Sequence, residues 1–174
     1  MDTGTTMKRI AIATLVVGAL ALSACSKNRL GDQYGAAGAS GDFVAGSPSD
    51  PRSPAYFQQT IGDRVLFAID QSSLSPEGID LLTKQAAWLM ENTAYTAVIE
   101  GHADEQGTRE YNLALGARRA SAVQNFLIER GVAPNRLQTV SYGKERPLEI
   151  CSDELCYAKN RRAVTVLAAG AATS

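Results

Sequence analysis

The helical stretch from about 109 to 130 carries an arginine where its own pattern asks for an apolar residue. Leu115, Ala122, Val123 and Phe126 recur at helical spacing, and Arg119 lies four residues after Leu115 and four before Val123, inside that stripe. Asn112, seven residues earlier, projects the same way. A guanidinium cannot readily shed its charge, and stranding one on an inward face costs several kcal/mol, so the pattern demands an acidic partner or a polar cleft. The loop ahead of the helix, 102–107, supplies Asp104 and Glu105. Two accounts stay open. One is an Arg119–Asp104 ion pair that fastens helix to loop. The other is a cleft in which the carboxylate meets an ammonium and the guanidinium meets a carboxylate, a site for a zwitterion.

The remaining inventory narrows the chemistry. The 174 residues include one histidine and three cysteines, so no two-histidine metal site can be assembled, and a nucleophile paired with histidine has no spare relay. His102 therefore reads as a hydrogen-bonding loop residue, with no metal, no cofactor and no catalytic residue expected. Arg161 and Arg162, at the start of a strand, suit either carboxylate binding or a structural role. A formal net charge of −1 gives no basic field for nucleic acid, and 45% apolar against 20% charged residues fits one globular domain with extensions.

These residues need elements to position them. The segment 65–69 reads as a buried strand followed by a turn at 70–73, and Ser75 with Pro76 opens a helix running to about Asn92. Ile79, Leu82, Ala86, Leu89 and Met90 form its core stripe, while Leu81 and Trp88 lie roughly opposite, under cover of the domain's own N-terminal segment or exposed as a contact patch. Strands are expected at 97–101, 137–142 and 162–167, a short helical turn at 155–160, and a stop for the long helix at Gly131. Strands alternating with helices predict an α/β two-layer sandwich: a mixed four-stranded sheet, its first three strands partly parallel, with helices on one face.

Before this domain the chain has another character. Lys8 and Arg9 precede an apolar run over 10–22, and Leu22-Ser23-Ala24-Cys25 resembles a bacterial lipobox, so 1–24 reads as a lipoprotein signal peptide and Cys25 as the lipidated N-terminus. Residues 1–6 carry no fold information and leave Met7 as an alternative start. The apolar run, about 13 residues, is too short for a permanent membrane span. Ser26 rather than Asp after the cysteine favours the outer membrane by resemblance to lipoprotein sorting rules. Residues 25–55, rich in Gly, Ala, Ser, Asp and Pro, read as a flexible tether, 56–168 as the domain and 169–174 as a short tail.

Taken together, Glu100-Gly101-His102-Ala103-Asp104-Glu105-Gln106-Gly107-Thr108, Glu110-Tyr111-Asn112, Leu115-Gly116 and Arg118-Arg119-Ala120 resemble the family of outer-membrane protein A C-terminal (OmpA-like) domains. Val140-Ser141-Tyr142-Gly143-Lys144-Glu145 and Lys159-Asn160-Arg161-Arg162-Ala163-Val164 match its later segments, and the lipobox and tether match the plan of its lipid-anchored members. The resemblance implies non-covalent binding of peptidoglycan through the meso-diaminopimelate of the stem peptide. Carried over by position, Asp104 takes the ammonium and Arg119 the carboxylate, Asn112 orients the loop or the ligand, and Asp70 lines the same cleft. The family often has an aromatic residue where Ile69 stands here. The resemblance also implies an outer-membrane protein facing the periplasm, with partners in the Tol envelope machinery. Cys151 and Cys156 depart from the family pattern, and in an oxidising compartment they are expected as a disulfide, with free thiols as the alternative. The competing functions are a wall-modifying hydrolase and a pure protein-interaction adaptor; the lack of an activated nucleophile favours the wall anchor over the first.

Overall fold

The computed structural model describes residues 46–150 and 152–169. Four strands, β1 (Arg64–Leu66), β2 (Tyr95–His102), β3 (Leu137–Gly143) and β4 (Arg162–Ala169), form one sheet in the order β1-β4-β2-β3. Only β2 and β3 run parallel; β4 sits between β1 and β2 and is antiparallel to both. The mixed sheet matches the expectation, but β1 takes no part in the parallel pairing, because the last strand inserts beside it.

The helices are α1 (Pro54–Tyr56), α2 (Pro76–Glu91), α3 (Arg109–Glu129) and α4 (Glu154–Asn160). A π-helical segment, Phe57–Gly62, continues α1. Ser75 caps α2, its hydroxyl accepting from the Gly78 amide, and Thr108 caps α3 through the Tyr111 amide. At the far end of α3, the Gly131 amide donates to the Ile128 carbonyl and the Val132 amide to the Leu127 carbonyl, with Gly131 at φ +101°. This double closure is the left-handed stop that a glycine permits.

The core joins Leu82, Ala86 and Leu89 of α2 to Ala120, Val123 and Leu127 of α3 over Ala97 and Ile99 of β2. Ile79 and Met90, expected in the α2 stripe, are instead 36% and 48% exposed, while Gln85 and Trp88 are buried. The displacement has a cause in the N-terminal segment. Trp88 packs on Phe57 and Tyr95 at 5.0 and 5.3 Å between ring centroids, and its Nε1 donates to the Pro51 carbonyl at 2.7 Å. Cover by the domain's own N-terminal segment is thus the correct alternative. Ser53 is 2% exposed and its hydroxyl donates to the Ser47 carbonyl at 2.6 Å, so the domain includes residues before Tyr56, inside the stretch expected as tether.

Helix α3 lies unusually close to β2. A Cβ on Gly101 would stand 1.8 Å from the Gly116 carbonyl oxygen, and one on Gly116 would stand 2.4 Å from Ser141 Oγ. Both positions must be glycine for helix and sheet to meet at this depth. The contact falls one turn before Arg119 and sets that residue's height over the ends of the strands.

Candidate functional site

The strand ends, the 67–71 turn, the 103–108 loop and the first half of α3 converge around Arg119. Its side chain is 0% exposed. Nε donates to the Gln71 carbonyl at 2.8 Å, Nη1 to the His102 carbonyl at 2.8 Å and Nη2 to the Ala68 carbonyl at 3.2 Å. The guanidinium also lies 5.2 Å from the centroid of the Phe67 ring. Burial lowers its pKa to about 10, against the opposing pull of Asp104. It stays charged at neutral pH while bonded to neutral oxygens.

The Arg119–Asp104 ion pair is not formed. The carbonyl at the end of β2 and two carbonyls of the 68–71 turn need donors, and the Arg119 fork supplies one to each. Asp104, half-buried, pairs with Arg161, whose Nη1 stands 3.2 Å from Oδ2; Oδ1 accepts from the Gln106 amide at 3.3 Å. Arg161 is 5% exposed, donates from Nε to the Phe67 carbonyl at 3.2 Å, and makes a second ion pair with Glu154. Burial pulls its pKa down, but Glu154 and Asp104 together hold it above the ordinary arginine value.

Asn112 is 1% exposed and donates to the Gln106 carbonyl at 2.7 Å, so it holds the loop. Asp70 ends the turn at φ +60°, the described non-glycine residue in left-handed backbone, and its carboxylate accepts a very short hydrogen bond from the Tyr111 hydroxyl. That bond holds the tyrosine proton on and raises its pKa. Further anchors of the loop escaped the sequence reading: Lys144 Nζ donates to the Gly107 and Glu105 carbonyls at 2.7 and 3.3 Å, and the Tyr157 hydroxyl donates to Glu105 at 3.0 Å. Lys144 and Tyr111 sit within recognisable motifs, but Tyr157 and Glu154 act from α4, across a sequence distance that no local spacing encodes.

One expectation about the flanking residues changes. His102 lies outside the loop: it ends β2, is 1% exposed, and among the described residues no partner meets hydrogen-bond geometry at either ring nitrogen. Its Nε2 stands 3.6 Å from Glu100 and its ring 5.6 Å from that of Tyr142. Burial, with Arg162 and Arg146 nearby, lowers its pKa to about 4, so it is neutral. Arg162 donates to the Arg146 and Asn160 carbonyls, contacts that agree with the structural alternative. Cys156 is 2% exposed and disulfide-bonded. Cys25 and Cys151 lie outside the described residues.

A sheet of order β1-β4-β2-β3 crossed by α3, with an aspartate loop and a buried arginine at its strand ends, defines an OmpA-like domain. The OmpA family profile matches residues 66–161, and the chain belongs to that family. It is 45% identical over 161 residues to the peptidoglycan-associated lipoprotein of Mesorhizobium japonicum, covering 92% of this chain and 94% of that protein. It is equally identical over 164 residues to the peptidoglycan-associated lipoprotein of Rhizobium meliloti, covering 93% and 90%. Among solved structures, the peptidoglycan-associated lipoprotein of Burkholderia pseudomallei superposes with a TM-score of 0.62 at 38% identity, over 70% of this chain and 100% of that one. The C-terminal domain of Helicobacter pylori MotB, at 22% identity and a TM-score of 0.58 over 63% of this chain and 86% of that one, shares the fold.

Proposed function

We propose that this protein is an outer-membrane lipoprotein, anchored through lipid chains on Cys25, that binds peptidoglycan non-covalently through meso-diaminopimelate in the stem peptide. It joins outer membrane to cell wall on the periplasmic side, as part of the Tol system that serves envelope integrity and cell division. The single observation behind the ligand assignment is Arg119, a fully buried guanidinium bonded to three neutral carbonyls and ion-paired with no described carboxylate. Charge buried that way is costly, and a ligand carboxylate would offset the cost through the N–H groups left on the two terminal nitrogens. Asp104 supplies the complementary anion for the ligand's ammonium, Asn112 keeps its loop in place, and Asp70 closes the site's outer wall. Because the Ala68 and Gln71 carbonyls hold Arg119, the 68–71 turn has to shift for the ligand to reach it. The relatives named for association with peptidoglycan support the same reading, and their names point to binding rather than to an enzyme.

The test is sedimentation with purified wall. Arg119→Lys keeps the charge and removes the bidentate fork, so it should fold and bind at least tenfold more weakly, about 1.4 kcal/mol or more. Wall in which lysine replaces diaminopimelate lacks the terminal carboxylate and should bind poorly to the unaltered protein. Equal sedimentation with both walls would refute the assignment, and release of soluble fragments would reveal a hydrolase.

A further inference from the structure

The assignment of Asp104 to an ammonium raises a difficulty, since that carboxylate already faces a cation: Arg161 Nη1 stands 3.2 Å from Oδ2. A guanidinium so close repels an approaching ammonium and cancels much of the charge meant to attract it. Glu154 supplies what is missing. It accepts from Arg161 Nη2 at 2.5 Å and, more weakly, from Nη1 at 3.4 Å, with a side chain that is 58% exposed and on α4, away from Asp104's own loop. Asp104, Arg161 and Glu154 carry two negative charges and one positive, which leaves one negative charge for one ammonium to neutralise. Oδ1 and Oδ2 each have a lone pair beyond the bonds from Arg161 and the Gln106 amide, so an ammonium can join the cluster without expelling Arg161.

Helix α4 is fastened well enough to keep Glu154 in place. Its cap residue Asp153 accepts from the Cys156 amide at 3.0 Å, and Cys156 is buried and disulfide-bonded. The Arg161 amide donates to the Tyr157 carbonyl at 3.0 Å, and the Tyr157 hydroxyl reaches Glu105 in the loop itself.

We infer that Glu154 is a positioning residue for ligand recognition: without touching the ligand, it balances Arg161 so that the Asp104 carboxylate keeps its charge for an ammonium. This rests on the zwitterion reading above and goes beyond it, because it ties specificity to a side chain on α4. The test uses calorimetric titration of the full-length chain in detergent with two stem tripeptides, one ending in meso-diaminopimelate and one in 2-aminopimelate, which keeps the terminal carboxylate but lacks the ammonium. Glu154→Gln should lose about fivefold in affinity for the diaminopimelate peptide and nothing for the aminopimelate peptide, with an unchanged melting temperature. Equal losses for both peptides would mark Glu154 as merely structural, and no loss for either would show that its charge is irrelevant; each overturns the inference. Failure of the unaltered chain to prefer the diaminopimelate peptide would instead overturn the zwitterion reading, and the inference with it.

Discussion

Single residues in this site are set by what surrounds them more than by their type. Arg119 and Arg161 are both buried arginines, yet one is held by neutral carbonyls and the other by two carboxylates, and only the first has uncompensated charge to offer a ligand anion. His102 shows the same dependence with the opposite sign. Its folded pKa of about 4 lies below the ordinary 6.5, so between those values the unfolded chain binds a proton that the folded chain refuses. The stability it contributes is complete above about pH 6.5 and is lost as pH falls toward 4, by up to about 3 kcal/mol. Thermal melts at pH 7 and pH 5 should show this loss, and His102→Gln should flatten the slope over that interval. An equal slope in the variant would assign the acid sensitivity to other groups.

At the scale of elements, the approach of α3 to β2 connects fold to site. In Gly116→Ala the new methyl would meet Ser141 Oγ and the Gly101 carbonyl, so α3 must lift from the sheet, and overpacking of this kind costs about 1–3 kcal/mol. Arg119, three residues on, moves with it. Chemical denaturation should show that loss, and wall binding should fall further than the unfolded fraction accounts for; binding that merely tracks folding would mean the spacing does not tune the site. The Ser75 cap and the Gly131 stop were legible because capping is local chemistry. So were β2, β3 and β4, from their apolar runs, whereas the buried strand expected over 65–69 is only Arg64–Leu66, with Leu66 and Ile69 exposed. The place of β4 between β1 and β2 was not legible, since pairing between distant strands leaves no local signal. The α2 face was misjudged for a related reason: periodicity finds a stripe but not its neighbours, and the cover on Trp88 comes from a segment whose Ser-Pro-Ser-Asp-Pro composition resembles linker. In the site, Asp104, Arg119 and Asn112 stood out by charge and spacing, whereas Arg161's hold on Asp104 depends on where β4 inserts.

At the scale of the whole molecule, the place where the domain starts would limit how far it can work from a membrane to which the proposed lipid anchor holds it. Pro51 and Ser53 are built into the fold and the Ser53 hydroxyl donates to the Ser47 carbonyl, so a link from a lipidated Cys25 to the domain would be about twenty residues rather than the thirty that composition suggests. Whatever their conformation, they can span at most about 70 Å, against about 100 Å for the longer stretch. If wall binding serves to join two surfaces, that reach is a functional quantity and the domain's affinity is a separate one. Deleting 28–43 should leave lipid labelling of Cys25 intact, and detergent-solubilised protein should sediment with purified wall as the full chain does. In intact envelopes the shortened chain should bind less wall, because its domain is held within about 15 Å of the membrane. Chemical cross-linking to peptidoglycan in whole cells would measure this, with Cys25→Ser as the control that removes the anchor and the restraint together. Cross-linking of the shortened chain at full yield would mean that distance from the membrane does not limit binding, and the segment 26–45 would then need another explanation for its length.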